Sequence, residues 1–507
     1  MEKLLIGIDV GTSACKVAAF DLEGRVIAQS TQPYGVYYPG PGCVEQNPQE
    51  WWEGVCNAIK EVIKKGNIDP KQVAGIGVDG QSWSAIPMDK EGNVLYNTPI
   101  WMDTRSYDIA RKVVDKIGFE RIFKISGNSF EPTYSTPKIL WFKETLPDVY
   151  KRTYKFLQSN SFIVYKLTGR FTQDVSQGYG IHFFNMKTGK WEDELCDELG
   201  IAREKFPEIF PCHQVVGEVT SEAAEVTGLA KDTPVVAGGL DACCGTLGAG
   251  VIDVGQTQEQ GGQAGGMSIC LDDAIAHPKL ILSFHVVPNL WLLQGGTVGG
   301  GGTIKWFKQE LGAYETEQEN KTGVSAFKIM DDEASTINPG SDGLIYLPYM
   351  AGERSPLWDR SAKGVFFGLG YSKTRAHMIR AVLEGCAYAL QHNLKTAEEV
   401  GVRVDELVAM GGAANSRLWT QIKSDVTGKV IKVPASDTAT TLGAVILAGV
   451  GTGLYKDFKE AVGRTIRITR VHEPDMKLHE KYQKYYELYL EIYEKLKDTM
   501  RKSDDLI

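Results

Sequence analysis

A chain of 507 residues exceeds what a single core organises, since cores stop growing near roughly 250–300 residues, so two large lobes with a cleft between them are expected. The 43% apolar and 23% charged fractions belong to an ordinary globular protein, and no run of about 18 uninterrupted apolar residues offers a membrane span. A net charge of −9 without any dense Lys/Arg stripe excludes nucleic acid as the expected partner, so any cations that bind phosphate must be local.

The chain runs from Met-Glu-Lys directly into an apolar strand, with no h-region or cleavage site, and the expectation is a cytoplasmic protein. In that strand Ile6, Ile8 and Val10 share one face, predicted to be core, while Leu5, Gly7 and Asp9 share the other, which ends in a carboxylate. Gly11-Thr12-Ser13 then turns the chain and Val17-Ala18-Ala19-Phe20 carries it back antiparallel. Such a tip offers backbone N–H groups, the Thr12 and Ser13 hydroxyls and Lys16 to a phosphate, while Asp9 could hold a hydrated cation against the same anion. A plain Gly turn in a hairpin also fits these residues, so the rest of the chain has to decide.

A third strand follows from Arg25 to Ala28, and Trp52, Val55, Ile59, Val62 and Ile63 predict an amphipathic helix over Gln49 to Lys65. Val73 to Val78 reads as a buried strand whose end carries Gln81, Ser82 and Trp83. Loops at that end of a parallel sheet are where ligands bind, which makes the three candidates for substrate contact; a turn with a half-buried Trp is the plain alternative. Ile100 to Met102 reads as a strand end, with Asp103 placed to cap the helix that Asp103-Thr104-Arg105 opens. Asp241 follows Pro234 to Ala237 and two glycines at the start of a small-residue helix, where the dipole favours an ionised carboxylate. An N-cap and a catalytic base both fit that place.

Past Gly250 the pattern restarts, with Glu259 to Leu271 reading as a second strand, polar tip and returning strand, and a duplicated lobe is the economical interpretation. Trp291 to Gln294 leads through Gly295 to Gly302 into a helix, and Val408 to Met410 leads through Gly411-Gly412-Ala413-Ala414-Asn415 into another. Both are strand-loop-helix junctions whose exposed N–H groups suit an anion. Nine scattered cysteines fit reduced thiols, with Cys243-Cys244 read as helix packing; none of the eight histidines forms a metal-binding pair. Tyr482, Tyr485, Tyr486, Tyr489 and Tyr493 stripe a final helix as packing.

Taken together, Gly7-Ile8-Asp9-Val10-Gly11-Thr12-Ser13, the Asp241 loop, Gly352-Glu353-Arg354-Ser355-Pro356 and Gly411-Gly412-Ala413 resemble the FGGY carbohydrate kinases over nearly the whole chain. The most specific piece is Gly364-Val365-Phe366-Phe367-Gly368-Leu369 with His377-Met378 and Ala381-Val382-Leu383-Glu384 beyond it; Pro137-Lys138-Ile139-Leu140-Trp141 resembles the family's other signature. The resemblance implies an α/β fold of two actin-like, ribonuclease-H-like lobes, here 1–246 and 247–507, with ATP and sugar in the cleft between them. It implies ATP with Mg²⁺, a small-molecule sugar partner and no membrane or nucleic acid; a homodimer is one assembly it allows. Asp241 matches the base and Asp9 the carboxylate beside Mg-ATP, with both near the metal. Gly11, Thr12, Ser13, Lys16 and Gly262 match the phosphate side, and Gly301, Gly302, Lys305, Gly411, Gly412 and Asn415 the nucleotide side of the second lobe. Gln81, Ser82, Trp83 and Asp103 match the sugar pocket.

Within the family the spacing is most like the xylulose kinases, which implies a ketopentose substrate, with another ketose or a polyol as the alternative. Two departures stand out: Ser82-Trp83 replaces a Met-His pair, and Gly262-Gln263-Ala264 replaces a hydroxyl-bearing tip. An actin-like or Hsp70-like ATPase shares the hairpin and the cleft, but the sugar-pocket residues argue against it.

Overall fold

The computed structural model describes residues 2–435, 438–504 and 506; Met1 and Ile507, the outer ends of the two expected lobes, lie outside them. The first mixed sheet is built from β1 (Leu4–Val10), β2 (Ala14–Phe20), β3 (Val26–Pro33), β4 (Val73–Gly80), β5 (Val215–Glu218) and β6 (Pro234–Val236), with the short strand Gly239–Leu240 also paired to β4. The second is built from β7 (Gln256–Gly261), β8 (Gly265–Leu271), β9 (Ile281–Phe284), β10 (Trp291–Thr297), β11 (Glu406–Met410), β12 (Val430–Pro434) and β13 (Ile468–His472).

The first sheet runs β3-β2-β1-β4-β6-β5, with neighbours antiparallel, antiparallel, parallel, parallel and antiparallel. The second runs β10-β8-β7-β11-β12-β13 with the same sequence of relations, and β9 adds an outer strand beside β10. The expected restart after Gly250 is therefore a repeat of topology as well as of pattern.

Helices cover the sheets. The first, α1 (Pro48–Lys65), is one residue longer than its periodicity predicts; Asn47 caps it and Pro48 starts it. Ile6, Ile8 and Val10 pack beneath it with Trp51, Val55 and Ile59. The opposite face of β1 is also covered, which its alternation did not predict. It is closed by a helix from the far end of the chain, against which α2 (Asp241–Gly248) packs in turn. In chain order the remaining helices that matter are α3 (Gly301–Leu311), α4 (Arg375–Glu398), α5 (Arg417–Thr427), α6 (Ala439–Gly451) and α7 (Met476–Asp504). It is α6 that lies on β1 and β4.

Glycines make this contact close enough. Gly7 and Gly77 pair in register, and a Cβ on them would fall 2.2 Å from the Thr441 carbonyl oxygen and 1.9 Å from that of Ala444. Where α6 crosses α2, Gly443 and Gly248 are equally tight, each 1.9 Å from a facing carbonyl oxygen. Cys243 and Cys244 are buried in α2, as packing requires, and the cysteines are unpaired. The tyrosine stripe of α7 is core, with Tyr482 and Tyr489 fully buried. Among the described residues no helix is long and apolar enough to cross a membrane.

Candidate functional site

The carboxylates Asp9, Asp79 and Asp241 come together where β1 and β4 end and α2 begins. Asp9 and Asp79 are register partners on adjacent parallel strands, and the short strand Gly239–Leu240, which leads directly into Asp241, pairs with Asp79 through Gly239. Asp9 accepts a hydrogen bond of 3.0 Å from the Thr440 hydroxyl at the start of α6, so a helix distant in sequence reaches the same point. Asp79 is fully buried and neither of its oxygens receives a donor. Burial, then the charges of Asp9 and Asp241, push its carboxyl well above the ordinary range.

Asp241 occupies the first position of α2, and its carboxylate accepts the N–H of Ala242 at 2.6 Å. The helix start was expected to keep it ionised. Instead burial, reinforced by the negative charge of Asp9, pushes it up to about 7. Desolvation outweighs a dipole worth roughly 0.3–1 kcal/mol.

The tip of the β1–β2 hairpin is fixed by a relay of side chains. Gln81 donates to the Gln46 amide oxygen at 2.7 Å, Gln46 donates to the Thr12 carbonyl at 2.7 Å, and the Trp101 indole N–H donates to the Thr12 hydroxyl at 2.9 Å. The Gly11 carbonyl accepts from Tyr34. Ser13 is exposed at the tip, and Lys16 stands opposite Asp9 on β2 with no salt-bridge partner among the described residues. Its charge pulls Asp9 down against the larger effect of burial.

The four residues expected at a sugar pocket fare differently. Ser82 accepts a 2.6 Å hydrogen bond from Tyr179. Gln81 is buried and spends its amide N–H on the hairpin relay. Trp83 is 7% exposed and stacks on Tyr134 at 4.1 Å, so that face of the indole is taken by protein, and its N–H is buried without a partner. For Asp103 the correction concerns the helix cap. The short strand ends at Pro99, the helix begins only at Tyr107, and Asp103 caps nothing. Its oxygens accept the Val44 N–H at 2.6 Å and pair with Arg105, which also pairs with Glu45 in a buried network.

In the second lobe, Gly262, Gly301, Lys305, Gly412 and Asn415 converge on a cavity of ≈640 Å³, together with Phe327, Lys328 and Trp419. The expectation of N–H groups free for an anion at this junction fails at Gly301 and Gly302, the first two residues of α3. Gly301 and Gly302 donate theirs to the Gly262 and Gln263 carbonyls, at 2.8 Å each. Their role is close approach: a Cβ on Gly301 would lie 2.5 Å from the Gly262 carbonyl oxygen. Gly411, at φ 83°, similarly lets its loop pass the Gly261 carbonyl.

Asp79, Tyr179, Gln46 and Thr440 were not picked out from the sequence. For Asp79 a signal existed, because Gly77-Val78-Asp79 repeats Gly7-Ile8-Asp9, and the two are in register.

Comparison with known proteins agrees with this architecture. The N-terminal domain of the FGGY family of carbohydrate kinases matches residues 4–248 and its C-terminal domain residues 274–452. A xylulose kinase of Bacillus subtilis is 30% identical over 483 residues, 95% of this chain and 94% of its own. A gluconokinase of Bacillus licheniformis is 29% identical over 484 residues, again 95% of this chain and 94% of its own. The crystal structure of ligand-bound xylulose kinase from Lactobacillus acidophilus superposes with a TM-score of 0.90 at 27% identity, covering 99% of both chains. With both domains present in order over two actin-like sheets, the chain belongs to the FGGY family of carbohydrate kinases and is a sugar kinase.

Proposed function

We propose that the protein transfers the γ-phosphoryl group of ATP to a hydroxyl of a ketopentose, with xylulose the first candidate and another ketose or a polyol the alternative. The observation that carries the mechanism is Asp241, whose burial beside Asp9 brings its proton affinity to about 7, where a general base is most effective. The sugar oxygen attacks the γ-phosphorus, its proton passes to the Asp241 carboxylate, and the bond to the bridging oxygen breaks to release ADP. Closure of the lobes supplies alignment and excludes water.

The Asp9 carboxylate, held by Thr440 at the end of β1, suits a hard divalent cation, and Lys16 opposite it suits the phosphates that such a cation accompanies. Among the described residues no three or more ligating side chains are close enough to hold an ion alone, so ATP phosphates and water would complete its shell. Bound Mg²⁺ supplies neutralisation of the charge on the phosphate oxygens. Asp9, through water, with Asp241 close by, faces that site; Thr12, Ser13 and Lys16 face the phosphates; the ≈640 Å³ cavity takes the nucleoside.

The xylulose kinase relatives support the ketopentose, and the gluconokinase at nearly equal identity supports a second reading, an aldonate. Coupled detection of ADP across ketopentoses, hexuloses, polyols and aldonates tests both. The ketopentose reading expects xylulose or ribulose to give the highest kcat/KM; turnover led by gluconate would replace it.

A further inference from the structure

The segment Gly352 to Pro356 marks the family in the sequence, yet no role in the reaction follows from that. In the structure the backbone N–H and C=O groups of Glu353, Arg354 and Ser355 are all engaged. Glu353 exchanges hydrogen bonds of 2.8 and 3.0 Å with Asp359, the Ser355 N–H donates to the Gly296 carbonyl, the Ser355 carbonyl accepts from Asn393, and the Arg354 carbonyl accepts from Trp358. One oxygen of the Glu353 carboxylate takes the N–H groups of both Val298 and Arg354, at 2.7 and 2.8 Å, while the other is buried without a hydrogen-bond partner, and among the described residues no cation lies within ion-pair distance of it.

What this rigid loop leaves over is the Arg354 guanidinium. It is largely enclosed, and among the described residues it has no hydrogen-bond acceptor and no carboxylate within ion-pair distance. It lies against Gly296, where a Cβ would fall 2.8 Å from its terminal nitrogen. Gly296 pairs with Gly266, next to the tip of the second hairpin. On its other side it sits 5.9 Å over the Trp101 ring, whose N–H holds Thr12 at the tip of the first hairpin. Glu353 and, more weakly, Tyr179, which bonds Ser82, are within range of its charge. The cation thus stands between both hairpin tips, at the edge of the expected sugar pocket.

Taking the sugar-kinase reading as its basis, we propose that Arg354 contacts the phosphoryl group in transfer, as a catalytic residue of the second lobe that stabilises charge on the equatorial oxygens. A neutral ketose offers a guanidinium only uncharged oxygen acceptors, whereas a phosphoryl group supplies opposite charge and accepts two of its parallel N–H donors, which better offsets the cost of desolvation. The rigid loop means that little reorganisation is needed when the charge develops.

The test uses the full chain with Arg354→Gln and Arg354→Lys. Three quantities are read: kcat with the best sugar of the panel, calorimetric affinity for that sugar and for MgADP separately, and affinity for MgADP with fluoroaluminate, which mimics the phosphoryl group in flight. Arg354→Gln is expected to lower kcat and weaken the fluoroaluminate complex by about 100-fold each while sugar and MgADP bind as before. Arg354→Lys, which keeps the charge but loses the fork, should fall between and shows that the loop still folds.

Unchanged kcat in Arg354→Gln would overturn the proposal. So would a loss of sugar or aldonate binding with fluoroaluminate affinity intact, which would make Arg354 a substrate contact. A wild type that turns over no sugar defeats the sugar-kinase reading alone, because the fluoroaluminate arm still reads Arg354; a wild type that forms no fluoroaluminate complex defeats the Arg354 proposal.

Discussion

Asp9 and Asp79 stand side by side in register on adjacent parallel strands, and the Asp79 carboxyl is sealed from solvent without a donor to either oxygen. Two like charges in that position oppose folding whenever both are ionised.

Replacing Asp79 by Asn should therefore stabilise the ligand-free protein at pH 8, with a gain on the order of 1 kcal/mol, the scale of one unpartnered buried group. The folded chain holds the Asp79 proton more tightly than the unfolded chain does. Its contribution thus favours folding in acid and is lost as pH rises past its unfolded value near about 4. The gain should shrink at pH 5. Thermal melts of both proteins at the two pH values check this, and a loss of stability at pH 8 would refute it.

The hairpin tip depends on Gln46, whose amide reaches both the Thr12 and Gly35 carbonyls. Gln46→Leu leaves both carbonyls without that donor and frees the tip. A rise in KM for MgATP with a fall in kcat of about 10-fold is expected, with sugar affinity unchanged by calorimetry. Equal loss of sugar affinity would show that the relay serves the sugar pocket instead.

Much of this molecule could be read from local pattern. The Gly7-Ile8-Asp9 strand, its tip, the restart near Glu259 and the α1 and α5 helices all follow from alternation, helical spacing and turn residues. The covering of the second face of β1 could not be read, because it comes from α6, more than four hundred positions away, and the only trace is that Gly7 and Gly77 leave room for it. The Gly301 and Gly302 junction misled for a related reason. Glycine permits both an exposed anion loop and a close backbone crossing, and here the crossing consumes the N–H groups. Asp103 read as a cap because its partners, Val44 and Arg105, meet it only in the folded chain.

The crossing makes a direct prediction. Gly77→Ala places a Cβ 1.9 Å from the Ala444 carbonyl oxygen, a backbone atom that cannot swing aside. Destabilisation of about 3 kcal/mol, at the upper end of overpacking, is expected in denaturant titration. A variant as stable as the wild type would show that α6 does not close on β4 as described.

Trp83 bears on sugar choice. An indole can donate but not accept, and its N–H is buried without a partner. A xylulose hydroxyl that relies on an acceptor there would be left unpaired, at a cost of about 1–3 kcal/mol, so the preference for xylulose over ribulose and other ketoses should be weaker than an acceptor at this position would give. The double variant Ser82→Met with Trp83→His should raise kcat/KM for xylulose relative to the other sugars, although loss of the Tyr134 stack should lower its Tm. A wild type strongly selective for xylulose, with no relative gain in the double variant, would refute the argument.

The most direct measurement is single-turnover phosphoryl transfer by Asp241→Asn beside the wild type across pH, using the best sugar of the panel. If Asp241 takes the hydroxyl proton, the wild-type rate falls on acidification below about 7 as the carboxylate protonates. The variant should be slower by about 10²–10⁴-fold, with its fold and sugar affinity intact. A folded Asp241→Asn protein that transfers phosphate within a few-fold of the wild type, with the same pH profile, would contradict it.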